Sequence, residues 1–292
     1  MPPFTSYSQL YRGAVEMLTH AGISNPRHEA LWILEYALGV TRLELHTNPD
    51  APLDAEKCRR AVSLFHRRAL REPIQYVLGT QEFFGLDFIV RPEVLIPRPE
   101  TELLVEETIT LLRSATRPVI LDVGTGSGCL AISLAVHLPR AMIIASDRSV
   151  AALHIARLNA MRLGVSQRIL WVAGDLLAHL LSGNLAGKVT AIIANLPYIS
   201  HEEWDHLSPD VKDFEPRLAL DGGPDGLDLY RRLLREAPGL LSSEGCMVME
   251  VGIGQADLLC REPSVTHAFK ILKVRPDLQG IPRVVCVQRH LA

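Results

Sequence analysis

Two short stretches of this chain combine residue types that can do chemistry rather than only pack. Val119-Ile120-Leu121-Asp122-Val123 reads as an apolar strand and runs straight into Gly124-Thr125-Gly126-Ser127-Gly128, which opens an apolar helical pattern. Glycines at such a junction let the backbone turn tightly and approach a ligand closely, and the following helix offers free N–H groups. By itself the loop points to a nucleotide-like ligand. A dinucleotide fingerprint, G-x-G-x-x-G, needs glycine at 129, where this chain has Cys129, so the NAD reading is the weaker one. Asp147 ends the next strand, about 20 residues beyond the loop, where a carboxylate can accept from both ribose hydroxyls. Taken singly it is better explained as a surface cap of the helix starting near Ser149; with the loop ahead of it, ribose binding is favoured. Asp175, in Gly174-Asp175-Leu176, ends a third strand and can contact an adenine amino group, with an exposed turn as the plain alternative.

The second stretch is Asn195-Leu196-Pro197-Tyr198, at the end of the buried-looking strand Val189 to Ala194. An amide, a proline and an aromatic at a strand tip form a rigid polar ledge, although taken alone the same letters are better read as an ordinary turn. The chemistry that needs such a ledge is methylation of a planar, weakly nucleophilic nitrogen, whose lone pair is tied up in conjugation. The Asn195 side-chain oxygen and the Leu196 main-chain carbonyl can hold both N–H bonds of such a group, while Tyr198 stacks on it and Pro197 stiffens the support. Oriented dipoles and proximity carry this chemistry, and no general base is needed before attack.

Elements must bring these stretches together. From Tyr7 onward, apolar residues recur at helical spacing; a second helix starts at Asn25-Pro26 and a third near Asp54, so residues 1–73 read as a small helical domain. Ile74 to Val90 turns rich in Val, Ile, Phe and Tyr, broken by Gly79-Thr80 and Gly85, which predicts a hairpin linker over 74–94. Residues 95–292 alternate strand and helix: helix 100–112, strand 119–123, helix 129–138, strand 141–146, helix 150–163, then strands 169–172, 189–194 and 245–251. This order predicts an α/β, doubly wound, mostly parallel sheet with ligands beyond the carboxyl ends of its strands.

Composition agrees with that plan. With 292 residues, 48% hydrophobic and 22% charged, the chain can bury two cores, and its longest apolar runs fall short of the roughly 18 to 20 residues of a membrane span. A soluble protein with no membrane association is expected. The net charge of -3 excludes the global positive field of a sequence-independent nucleic-acid binder, leaving only a local patch for such a role. Five cysteines at 58, 129, 246, 260 and 286 form no C-x-x-C pair and read as reduced thiols, and the N-terminus lacks a basic segment ahead of an apolar one. A cytoplasmic protein follows. The histidines, including His201 and His206, show no metal spacing, so no metal is expected; Glu250 either faces the site or is a buried, hydrogen-bonded carboxylate.

The residues also carry a resemblance. Gln75-Tyr76-Val77-Leu78-Gly79, Glu82-Phe83-Phe84-Gly85, Leu95-Ile96-Pro97-Arg98-Pro99-Glu100-Thr101-Glu102, the loop from Asp122 to Gly128, Asp147, Asn195 to Tyr198, and Glu215-Pro216-Arg217 with Ala219-Leu220 and Gly222-Gly223 follow one another in a fixed order. In this the chain resembles the class I (Rossmann-like) S-adenosylmethionine-dependent methyltransferases, and specifically the HemK/PrmC family of peptide chain release factor glutamine-N5 methyltransferases. The resemblance implies a helical domain that seats the release factor and a catalytic domain that methylates the glutamine of its Gly-Gly-Gln motif. It implies Gly124, Thr125, Gly126, Ser127 and Gly128 around the methionine part of S-adenosylmethionine, with Arg98, Pro99 and Thr101 along that side. It further implies Asp147 on the ribose, Asp175 or Leu176 by the adenine, and Asn195 with the Leu196 carbonyl on the substrate amide. For Arg98 to Thr101 a plain helix start is an equal and compatible reading.

One position departs from the family: its usual motif is Asn-Pro-Pro-Tyr, and residue 196 is Leu. A carbonyl survives any side chain, so Leu196→Pro is expected to preserve activity. Asn-Leu-Pro-Tyr also resembles the motif of ribosomal RNA adenine dimethyltransferases, which keeps an adenine-N6 nucleic-acid methyltransferase as an alternative, though those enzymes carry the cofactor loop near the N-terminus and the helical domain after it. A non-catalytic module that binds cofactor or release factor is the other alternative. A monomer is expected.

Overall fold

The computed structural model describes residues 4–181 and 183–290, which form two compact units. One comprises the described residues up to Thr80 together with Ser208–Phe214; the other comprises Gln81–Leu207 and the described residues from Glu215 onward.

The first unit is helical, with helices Tyr7–His20, Pro26–Leu38, Arg42–Thr47, Ala55–Ala69 and Ile74–Leu78. Their starts are chemically marked. The Ser6 hydroxyl accepts from Gln9 N–H, Asp54 accepts from Glu56 and Lys57 N–H, and Thr41 with Glu44 makes a reciprocal capping box. Asn25 precedes Pro26 as expected, but its side chain makes no cap bond. Leu10, Leu18, Ile33, Leu34, Leu38 and Phe65 form the core. Two elements depart from expectation. Arg42–Thr47 is too short for its periodicity to register, and Ile74–Leu78, expected as the opening of a hairpin, is a helical turn closed by Gly79 at φ 80°. Arg68, almost fully buried, pairs with buried Glu29 and with Asp210 at 3.0 Å; Arg71 also reaches Asp210, at 2.6 Å.

The second unit opens with a hairpin of β1 (Thr80–Phe83) and β2 (Leu86–Ile89), followed by β3 (Val119–Val123), β4 (Met142–Asp147), β5 (Ile169–Ala173), β6 (Val189–Ala194), β7 (Leu241–Glu250), β8 (Phe269–Pro276) and β9 (Pro282–Arg289). The last seven form one sheet in the order β5-β4-β3-β6-β7-β9-β8. Pairs from β5 through β7 are parallel, and β9 is antiparallel to both its neighbours. Period-two alternation sends Ile120, Ile143, Ile193 and Val248 to one apolar layer and Leu121, Ile144, Ile192 and Met247 to the other. The expected doubly wound, mostly parallel sheet is therefore present.

Strand order reverses between β3 and β6, because the chain builds β3, β4, β5 outward and then returns beside β3. The crevice for ligands lies at that reversal. Strands β8 and β9 were not anticipated. β8 is an edge strand exposed from Lys270 to Val274 and has no buried apolar run, whereas Val284-Val285-Cys286-Val287 in β9 is such a run and was legible. The hairpin, expected as a linker, packs into this unit's core: Phe83 and Phe88 meet edge to face at 6.0 Å, and Phe84 N–H donates to Glu102 at 2.8 Å.

Candidate active site

The carboxyl end of β3 carries the glycine loop. Gly124, Gly126 and Gly128 all have positive φ, and a Cβ on Gly128 would meet Ile132 at 3.0 Å and Ala156 at 3.1 Å, so glycine is required there both for conformation and for closeness. Gly124 and Thr125 N–H groups both donate to the Ser146 carbonyl at 2.9 Å, tying the loop to β4. Beneath it, fully buried Asp122 accepts from the Thr125 hydroxyl at 2.6 Å and from Ala131 N–H at 3.1 Å. Burial pushes the Asp122 carboxyl up to about 7 despite these two bonds.

Asp147, at the end of β4, accepts from Gly126 N–H at 2.9 Å with one oxygen and from Ser149 N–H at 2.8 Å with the other. Burial raises its pKa, with the backbone donors opposing. The helix cap itself is Ser149, whose hydroxyl accepts from Ala152 N–H, so Asp147 sits between loop and cap with carboxylate lone pairs left over. Asn159 braces the same loop from behind, donating to the Ser127 and Ile89 carbonyls at 2.9 and 3.0 Å while accepting from Ile89 N–H at 2.7 Å.

At the tip of β6 the Asn195 side-chain nitrogen donates to the Thr101 hydroxyl at 3.0 Å. That leaves the amide oxygen as the free end of a residue lining the crevice. Leu196 N–H donates to the Tyr230 hydroxyl at 3.1 Å, and Tyr230 donates to the Glu250 main-chain carbonyl. The Leu196 side chain is buried, and a Cβ on Gly124 would come within 3.0 Å of it, so ledge and glycine loop are in close contact. The Tyr198 hydroxyl donates to Glu250 at 3.2 Å, and burial followed by the Glu250 charge drives its pKa far up. Gln255 locks the exit from the ledge, donating to the Tyr198 and Asp225 carbonyls at 2.8 and 3.2 Å.

The opposite wall joins two motifs remote in sequence. Buried Glu215 accepts from Ile96 N–H at 3.1 Å and pairs with Arg98, so the segment before residue 100 is fastened to the segment after 214. These walls, the loop and the ledge enclose a cavity of about 530 Å³, within the size range of small-molecule and cofactor sites.

Of the residues singled out in sequence, Gly124 to Ser127, Asp147, Asp175, Leu176, Arg98, Thr101, Asn195, Leu196 and Pro197 line this cavity. Gly128, Pro99 and Tyr198 are not among its lining residues; Gly128 shapes the helix start, Pro99 opens a 3-10 turn, and Tyr198 is engaged with Glu250 behind the ledge. Two expected cofactor contacts have other partners: Arg98 is held by Glu215, and half-exposed Asp175 is paired with Arg232 at 2.7 Å. Leu176 is buried with φ 47°, a left-handed backbone unusual for a branched side chain. Tyr230 and Gln255 escaped sequence reasoning. Both lie in chain segments without a motif, and only the folded contacts disclose them.

A family model described as the PrmC N-terminal domain matches residues 9–79, and one described as the Methyltransferase small domain matches residues 99–208. The release factor glutamine methyltransferase of Geobacter sulfurreducens is 43% identical over 268 residues, 92% of this chain and 91% of that protein. Its counterpart from Moorella thermoacetica is 42% identical over 277 residues, covering 95% of this chain and 96% of the relative. Among solved structures, the hMettl16 catalytic domain in complex with MAT2A 3'UTR hairpin 6 superposes with a TM-score of 0.56 at 16% identity, over 81% of this chain and 82% of that one. At that identity the likeness is one of fold.

Proposed function

The chain belongs to the family of release factor glutamine methyltransferases, and on that premise we propose that it methylates the side-chain amide nitrogen, N5, of the glutamine in the Gly-Gly-Gln motif of peptide chain release factors. The methyl donor is S-adenosylmethionine, which supplies an electrophilic methyl on a sulfonium. The fold is that of a class I methyltransferase.

The cavity suits that donor: positive-φ glycines leave room for close backbone approach, and Asp147 keeps carboxylate lone pairs available for ribose hydroxyls. Gly124 to Ser127 would hold the methionine end, and Leu176 would lie by the adenine. Arg98 and Asp175, which line the same cavity, would act there while paired with Glu215 and Arg232.

The substrate amide enters at the ledge. Asn195 Oδ1 and the Leu196 carbonyl accept its two N–H bonds, which favours a geometry in which the nitrogen lone pair leaves conjugation and points at the methyl group. Pro197 limits the movement of these acceptors, and burial around them strengthens both dipoles by excluding water. The surplus proton leaves once nitrogen has gained the methyl and become acidic. Tyr198 acts as a support for the ledge, since its hydroxyl is committed to Glu250. The observation that carries this reading is the Asn195 to Thr101 bond, which uses the amide nitrogen and leaves the oxygen for substrate.

The helical domain over 1–73, followed by the linker over 74–94, contributes to seating the release factor, and a release factor substrate places the reaction in the cytoplasm. The chemistry uses no metal and one copy of the chain. Incubation with methyl-labelled S-adenosylmethionine and purified release factor, followed by mass spectrometry of the Gly-Gly-Gln peptide, is expected to show a single methyl on the glutamine. Label on RNA or DNA instead, or cofactor binding without single-turnover transfer, overturns it.

A further inference from the structure

Thr101 and Glu250 lie outside the substrate contacts assigned above, yet both are buried directly behind them. Thr101 is 2% exposed and accepts a hydrogen bond from the Asn195 side-chain nitrogen at 3.0 Å. Glu250, at the tip of β7, is 1% exposed; one oxygen accepts from the Tyr198 hydroxyl at 3.2 Å, and among the described residues Oε2 has no direct hydrogen-bond partner. Burial raises this carboxyl to about 7, and a hydrogen bond from the Thr101 hydroxyl opposes that rise, so Thr101 is the donor at hand for it.

A hydroxyl carries one proton, and that sets the polarity of the chain of groups. Above about pH 7, where Glu250 is ionised, the carboxylate only accepts, so the Thr101 proton turns toward Glu250, and Thr101 Oγ1 then faces Asn195 with lone pairs alone. An acceptor there selects the nitrogen end of the amide. From this we propose that Thr101, polarised by Glu250, is a positioning residue that dictates which end of the Asn195 side-chain amide is presented to the substrate. The inference rests on the role given to Asn195 in the proposed reaction. Without the relay the two amide orientations are nearly isosteric, and the wrong one presents two donors to an incoming N–H.

Glu250→Gln is the discriminating substitution because it preserves shape and inverts polarity. A glutamine NH2 can donate to Thr101 Oγ1, which sends the Thr101 proton to Asn195 Oδ1 and turns the amide nitrogen toward the substrate. With the full-length enzyme at alkaline pH, Glu250→Gln and Thr101→Val are each expected to lower kcat roughly 10- to 100-fold, the scale of a lost oriented dipole. Thr101→Ser, which keeps the hydroxyl, restores it. Cofactor Kd by calorimetry stays within about threefold in Glu250→Gln, as a positioning role requires, because one lost neutral hydrogen bond corresponds to a larger change. Wild-type kcat in either Thr101→Val or Glu250→Gln overturns the proposal, as does a loss of cofactor affinity that accounts for the whole defect.

A second readout needs no turnover. The Asn195 side-chain NH2 resonances of the substrate-free protein, identified by their loss in Asn195→Asp, are expected to move in Thr101→Val and Glu250→Gln and to stay in Thr101→Ser. Unmoved resonances sink the relay even if the wild-type enzyme methylates release factor. Failure of the wild-type enzyme to methylate it, with the resonances moving as described, sinks the substrate assignment alone.

Discussion

Leu196 N–H donates to the Tyr230 hydroxyl at 3.1 Å, and the same hydroxyl donates onward to the Glu250 main-chain carbonyl. The peptide between Asn195 and Leu196 is thereby fastened to the tip of β7. Where the resembling family has a proline ring, this chain has a hydrogen bond. Tyr230→Phe leaves that buried N–H without an acceptor and is expected to cost about 1–3 kcal/mol of stability. Leu196→Pro deletes the donor and the side chain packed on Gly124 and is expected to cost stability, while the carbonyl acceptor, and with it activity, is kept. In the Leu196→Pro background, Tyr230→Phe costs less than in the wild type. Urea unfolding of the four proteins of this cycle checks the coupling.

Asn195→Ala and Asp147→Ala separate the two ligands. Removing Asn195 is expected to lower single-turnover methylation about 10²- to 10³-fold while calorimetry finds cofactor affinity nearly unchanged. Removing Asp147 strands the Gly126 and Ser149 N–H groups and deletes the ribose acceptor. Cofactor Kd then rises roughly 10- to 100-fold, the equivalent of one charge-assisted hydrogen bond. If the two substitutions change Kd alike, the division between cofactor and substrate acceptors is wrong.

Burial lifts both Asp122 and Glu250 to about 7, above their ordinary values of 3.8 and 4.5. The native state therefore holds protons that the unfolded chain has released between those values. The contribution of these two groups is greatest in acid, declines as pH rises from about 4 through about 7, and is flat beyond, with a limiting slope near 1.4 kcal/mol per pH unit for each group. Glu250→Gln is expected to flatten its share of that decline. Stability from denaturant titrations across this pH range, in wild type and Glu250→Gln, gives the comparison; an unchanged slope rejects it.

In the helical unit the buried Glu29–Arg68 pair sets up an asymmetry. Arg68→Ala abandons Glu29, leaves Asp210 to Arg71 alone and is expected to destabilise by about 3–5 kcal/mol, whereas replacing Glu29 and Arg68 together with methionine costs far less, since no charge at Glu29 is left uncompensated. Thermal melts of both variants decide it. Equal losses would mean that packing, and not the ion pair, dominates at this site.

The parallel part of the sheet was legible because its strands are buried on both faces and read as continuous apolar runs, such as Val119 to Val123 and Val189 to Ala194. Their ends were legible because glycines and Asn-Leu-Pro-Tyr interrupt those runs abruptly. Arg42–Thr47 and β8 were not, the first being too short for periodicity and the second too exposed for an apolar signal. The site divided in the same way. Residues touching the cavity announce themselves by type and spacing, while Tyr230 and Gln255 act through bonds to main-chain groups that no side-chain pattern encodes. Asp175 and Arg98 show the converse limit, because their partners Arg232 and Glu215 lie 57 and 117 positions away in the chain.

Asn159 serves β2 and the glycine loop with one carboxamide, and Phe83 and Phe88 fill the layer beneath. Anyone excising the catalytic half for crystallisation or engineering must therefore cut ahead of Gln81. A fragment begun at residue 95 would strip two aromatic rings from its interior and leave the brace of its own cofactor loop half undone.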